Sequence, residues 1–102
     1  MGFYNVLHGG GNCGDTTVDD SGETVVRPED TTRSYMLIVA SPDNTETVFL
    51  RLHKTEDAVY GEGIPLFPGG SYEIHDQNLY QGAIRAVTAP GTTQLLYWHD
   101  GR

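Results

Sequence analysis

Basic residues are scarce in this sequence. Six Lys and Arg stand against fourteen Asp and Glu in 102 residues, a formal charge of −8. A surface of that sign repels phosphate backbones, which argues against a nucleic-acid partner and suits basic proteins instead. Cysteine is nearly absent: Cys13 stands alone, so no disulfide can form within the chain. No apolar run approaches the ~20 residues a membrane-spanning helix needs, and no membrane partner is expected. The opening MGFYNVLHGGGNCG lacks the basic stretch and apolar run of a secretory signal. Val6 stands where an N-myristoylation start wants Ser or Thr. The expectation is a protein made in the cytoplasm. Helical periodicity is missing as well, with no heptads and no internal repeat.

What the chain does have is punctuation. Thirteen glycines and five prolines favour turns over helices. A single domain of this length buries roughly 65% of its unfolded surface, enough for a thin core but not for a deep pocket. Between Gly63 and His99, short alternating segments are separated by tight turns, the rhythm of an antiparallel sheet.

Residues 1–23 are expected to form an extended, Gly-rich and acidic arm, with a β-sandwich over 24–102. Such a segment cannot bury enough apolar area to offset its own ordering entropy. Either Phe3, Tyr4, Val6 and Leu7 anchor its tip on a neighbouring subunit or the segment is a frayed terminus, two readings between which the sequence does not choose.

The strand expectations follow from alternation. Glu23 to Arg27 is the first candidate strand, ended by Pro28. Thr31 to Ala40 is apolar on both faces and reads as a strand covered on both sides. Thr47 to His53 places Val48, Leu50 and Leu52 on one face. Ile64, Leu66 and Phe67 lead into Pro68-Gly69-Gly70, where a glycine after proline suits the positive-φ corner of a type II turn. Ser71 to Ile74, Gly82 to Thr88 and Gln94 to His99 complete the set. Seven to eight such strands predict an all-β fold, an antiparallel β-sandwich of jelly-roll or Ig-like type. Its expected core is Leu37 or Ile38, Leu50, Leu66, Ile74, Ile84 and Leu95. Tyr97 and Trp98 point to opposite faces. The exposed one is a candidate interface anchor, with Trp98 the residue named for that role.

No chemistry-bearing constellation has workable spacing. Gly63, Pro68, Gly70, His75 and Asn78 suggest the glycine–histidine box of a cupin metal site. The intervals miss it, however, and the partner His-x-His is absent, because His53 stands alone. Cys13 with His8 sits in a glycine-rich stretch with nothing to hold nucleophile against base. Asp15, Asp19, Asp20 and Glu23 lack the order of a calcium loop. Gly9-Gly10-Gly11 lacks the preceding strand and following Lys of a phosphate loop. Neither a cofactor nor a catalytic residue is expected.

Several segments together carry a resemblance. RSYMLIV at 33–39, VFLRL at 48–52, GIPLFPGGSYEI at 63–74, NLYQGAIRAV at 78–87 and GTTQL at 91–95 look like a group of small all-β virion proteins of tailed bacteriophages. These are head-decoration or other auxiliary structural subunits. The likeness covers about residues 24–99. It implies a non-enzymatic structural protein located in the virion, working as a homo-oligomer or against the major capsid protein or other virion subunits. A carbohydrate-binding or host-attachment module is the alternative. It would require exposed aromatics gathered on one concave face beside polar side chains.

Overall fold

The computed structural model describes residues 12–101, so Phe3, Tyr4, Val6 and Leu7 lie outside the described residues. The described residues form eight strands and no helix: β1 (Asn12–Val18), β2 (Thr24–Arg27), β3 (Tyr35–Ala40), β4 (Val48–Leu52), β5 (Ile64–Leu66), β6 (Ser71–Ile74), β7 (Ile84–Val87) and β8 (Gln94–Gly101). They make two antiparallel four-stranded sheets, sheet A in the order β1-β8-β3-β6 and sheet B in the order β2-β7-β4-β5.

The pairing has one simple rule. β1 pairs β8, β2 pairs β7, β3 pairs β6 and β4 pairs β5, so the chain is a single long hairpin turned at the β4–β5 connection. Two further pairings, β3 with β8 and β4 with β7, close the wound hairpin into two sheets. This is the strand order of a jelly roll, so the fold is a β-sandwich of that type rather than an Ig-like one.

Alternation sets which side chains meet between the sheets. Met36, Ile38 and Ala40 of β3, Val48 and Leu50 of β4, Leu66 of β5, Ile74 of β6, Ile84 and Ala86 of β7 and Leu96 of β8 are buried in one cluster with Val18 and Val26. Five of the expected core positions hold, with Ile38 rather than Leu37 filling the first of them. Leu95 is a correction. The β8 register places Leu96 opposite Ala40 on the inner face, which turns Leu95 outward toward Thr17 of β1. In a strand whose side chains alternate, two adjacent leucines cannot both face the core.

A second correction concerns the arm. Residues 12–18, expected as part of an extended segment over 1–23, form β1 and pair residue for residue with β8. Val18 is fully buried. The acidic loop that follows ties itself down: Asp19 Oδ1 accepts hydrogen bonds from the Ser21 amide and hydroxyl. Those bonds hold the Asp19 carboxyl below its ordinary pKa, the Ser21 hydroxyl contributing most. Asp20 Oδ2 accepts from the Gly91 amide across the same end of the sandwich.

The turn chemistry is as expected at Pro68-Gly69. Gly69 has φ +81°, and the Gly70 amide closes the turn onto the Phe67 carbonyl at 2.6 Å. Gly22 carries a different constraint. Its φ is also +81°, and a Cβ there would lie 2.1 Å from the Ala58 carbonyl oxygen. That contact brings the β4–β5 connection against the far end of sheet B, where the Ala58 amide donates to Gly22 O.

Candidate functional site

The two outer faces of the sandwich are treated differently. On sheet B, Phe49, Arg51, Arg85 and Val87 point away from the core, and the long β4–β5 connection folds back over them. Tyr60 meets the Phe49 ring edge-on at 5.2 Å. Asp57 lies 3.8 Å from Arg85, and Arg51 pairs with Glu56 at 2.5 Å. Val87 and Ala58 are consequently buried although neither belongs to the inner cluster.

Sheet A has no such cover among the described residues. Its outer face carries Tyr35, Leu37 and Val39 of β3 beside Leu95, Tyr97 and His99 of β8. Register places Val39 opposite Tyr97 and Leu37 opposite His99. Tyr97 is 43% exposed, and the other apolar members are half-buried. A shallow groove of about 100 Å³ runs between Leu37, Val39, Tyr97, Trp98 and His99. The Tyr35 and His99 rings meet edge-on at one end of the strip. Of the two sides of β3, both expected to be covered, the Met36-Ile38-Ala40 side is buried and, among the described residues, the Tyr35-Leu37-Val39 side is only half-buried.

Charge on this face has one sign. The strip is flanked by Asp15 on edge strand β1 and Glu73 on edge strand β6, both exposed. No strand of sheet A contains Lys or Arg. The described bases lie in sheet B strands or in the β2–β3 and β4–β5 connections. The outer face is therefore an apolar band with acidic margins.

Trp98, the named interface candidate, points inward, while its neighbour Tyr97 takes the exposed position. The Arg27 guanidinium sits 4.0 Å from the centre of the Trp98 ring. From the other side, Gly14 of β1 approaches so closely that a Cβ there would lie 2.7 Å from the indole. Arg27 also donates to Asp100 Oδ2 at 3.1 Å. Asp100 is 2% exposed. Arg33, also buried, donates to the carbonyls of Pro28, Tyr80 and Gly82. Burial lowers its pKa, which the charge of Asp100 opposes. This Arg33–Asp100–Arg27–Trp98 group joins the sheets at the end where the β2–β3 and β6–β7 connections meet. The bonds it makes run to the protein's own backbone and between Arg27 and Asp100, so it reads as a structural clasp, although Arg33 Nε, Trp98 Nε1 and Asp100 Oδ1 are buried without a hydrogen-bond partner.

Two tyrosines bear on pH dependence. Tyr80 donates its hydroxyl to Ala83 O at 2.7 Å, and burial raises its pKa. Burial also raises that of Tyr35, and the Glu73 carboxylate raises it further. An unfolded tyrosine loses its proton near pH ~10, before either folded one. Their contribution to stability is therefore full below pH ~10 and declines as pH rises through the folded values. We expect the melting temperature to fall above pH ~10, and Tyr80→Phe to flatten that fall. An equal slope in both proteins would contradict this.

His75 and Asn78, the residues nearest a cupin box, are occupied locally. His75 Nδ1 accepts from the Gln77 amide, and Asn78 Oδ1 accepts from the His75 amide. His53 Nδ1 accepts from the Thr55 and Glu56 amides in a separate loop. Among the described residues, no three His, Cys, Asp or Glu side chains converge as a metal site would need.

The exposed band was missed in the sequence because both faces of β3 read as apolar. Only the fate of the β4–β5 connection, which covers sheet B and not sheet A, separates a covered face from a bare one. Comparison of the chain with protein-family models, curated proteins and solved structures gave no match, so the geometry of sheet A carries the functional argument.

Proposed function

We propose that this protein is a non-enzymatic structural subunit of a phage virion. It would be a capsid decoration protein or another auxiliary subunit that works through protein–protein contacts. The observation that carries the reading is the outer face of sheet A, where exposed Tyr97 and half-buried Leu37 and Val39 form an apolar band that no described segment covers, while the β4–β5 connection folds over the opposite face. A bare apolar patch with a polar rim is the signature of a protein-binding surface. Its acidic margins at Asp15 and Glu73 suit a major capsid protein or other virion subunit that presents basic residues around an apolar patch. The protein would be present in many copies, as a homo-oligomer or as an array on the shell. The resemblance of residues 24–99 to small all-β virion proteins points the same way.

The carbohydrate-binding alternative draws less support. The exposed aromatics among the described residues are Tyr60, Phe67 and Tyr97. They stand over sheet B, at the β5–β6 turn and on sheet A, too far apart in the fold to share one stacking platform.

The test is occupancy. Particles assembled with Tyr97→Asp should carry markedly less of the protein than particles assembled with the parent chain, with the isolated variant melting within a few degrees of it. Tyr97 is exposed, and surface changes of this kind usually cost under about 0.5 kcal/mol. Equal occupancy, or absence of the parent protein from purified particles, would overturn the reading.

A further inference from the structure

We propose that the edge of β1 that no described strand occupies takes an added strand from a basic protein, with Lys or Arg facing Asp15 and an apolar side chain facing Gly14. The argument begins with the four sheet edges. An unpaired edge is a template for another strand, and proteins blunt edges they do not use. Three of the four are blunted here. β2 is interrupted by a register shift between Val25 and Arg27. β5 is three residues long and contains Pro65. β6 is only four residues long. β1 differs: its seven residues pair with β8 without a shift, and it contains neither Pro nor Lys. No described strand lies on its other side.

The side chains of β1 specify what would be added. On the outer face, Asp15 is the only charge on the strand. On the inner face, Gly14 has no side chain, and the half-buried Trp98 ring lies directly against it. An apolar residue opposite Gly14 would extend the contact with that ring. The Trp98 Nε1 atom is buried without a hydrogen-bond partner, so its environment is a sensitive reporter of that contact. Backbone bonding along the edge would supply affinity, and these two positions would supply selectivity.

Charge decides the occupant. Pairing β1 with a second copy of itself near Asp15, with faces aligned, sets two Asp15 carboxylates opposite or diagonal to each other, within about 8 Å. Each copy also carries −8 overall. A strand with a cation at that position replaces repulsion with attraction. This inference does not depend on the particle reading. A chain that bound such a strand but was absent from particles would remove that reading and leave this one standing.

The experiment uses the full-length, isotope-labelled protein and a blocked peptide of sequence Thr-Thr-Val-Lys-Val-Thr-Thr, followed by NMR. The expected result is saturable shifts in the amides of residues 12–18 and in the Trp98 indole N–H. Replacing the central Lys by Glu should weaken binding about tenfold, and Asp15→Lys should reverse that preference. Four results would overturn the proposal: no saturable shift, shifts centred elsewhere, equal affinity for the two peptides, or binding that appears only after residues 1–11 are deleted. Concentration-dependent shifts of β1 in peptide-free protein would overturn it in favour of a second copy.

Discussion

Asp100→Ala should be among the most damaging single substitutions in this protein, costing roughly 3–5 kcal/mol. The Asp100 side chain is 3% exposed and holds Arg27 at 3.1 Å. Removing it leaves the Arg27 guanidinium over Trp98 and the buried Arg33 without their shared counter-charge. Losing one member of a buried pair costs more than the pair itself contributes, because the remaining charge stays desolvated. For a domain of this size the melting temperature should drop by roughly 15–25 °C. Arg27→Ala should cost less, since its side chain is 21% exposed and Asp100 would still have the charge of Arg33 nearby. Chemical denaturation of the two variants checks the order. Near-equal losses, or a loss under 1 kcal/mol for Asp100→Ala, would contradict the clasp.

Leu50→Ala should cost about 2–5 kcal/mol. Leu50 is completely buried on β4, paired with Ala86 on one side and Ile64 on the other. Truncation leaves a cavity in a thin two-layer core that has little slack to collapse. Leu95→Ala supplies the contrast: the side chain lies on the outer face, and the change should cost well under half as much. If the two variants melted together, the assignment of inner and outer faces would be wrong.

That contrast shows what alternation alone delivers. Strand positions, the Pro68-Gly69 turn and most of the core were legible, because period-two patterning and φ-demanding glycines are local properties. The phase of β8 was not legible. Leu95-Leu96 offers two equivalent choices, and only pairing with β3, with Leu96 opposite Ala40, selects one. The same phase decides that Tyr97 is bare and Trp98 turned inward. β1 was hidden for a related reason: NCGDTTV has little apolar content of its own and becomes a strand because β8 offers a long edge and Trp98 needs a glycine beside it. Nothing local in the sequence marks Arg33 and Asp100 for burial, although both are buried. The band on sheet A became visible only when the β4–β5 connection was seen to fold over the opposite face.

The most direct measurement of the proposed virion role is a cryo-EM map of phage particles purified from cells that carry the gene for this chain. The account predicts density for this sandwich at repeated positions, with Leu37, Val39 and Tyr97 of sheet A buried against another virion protein. Particles without the protein, or a bound protein whose sheet A outer face is turned to solvent, would contradict it.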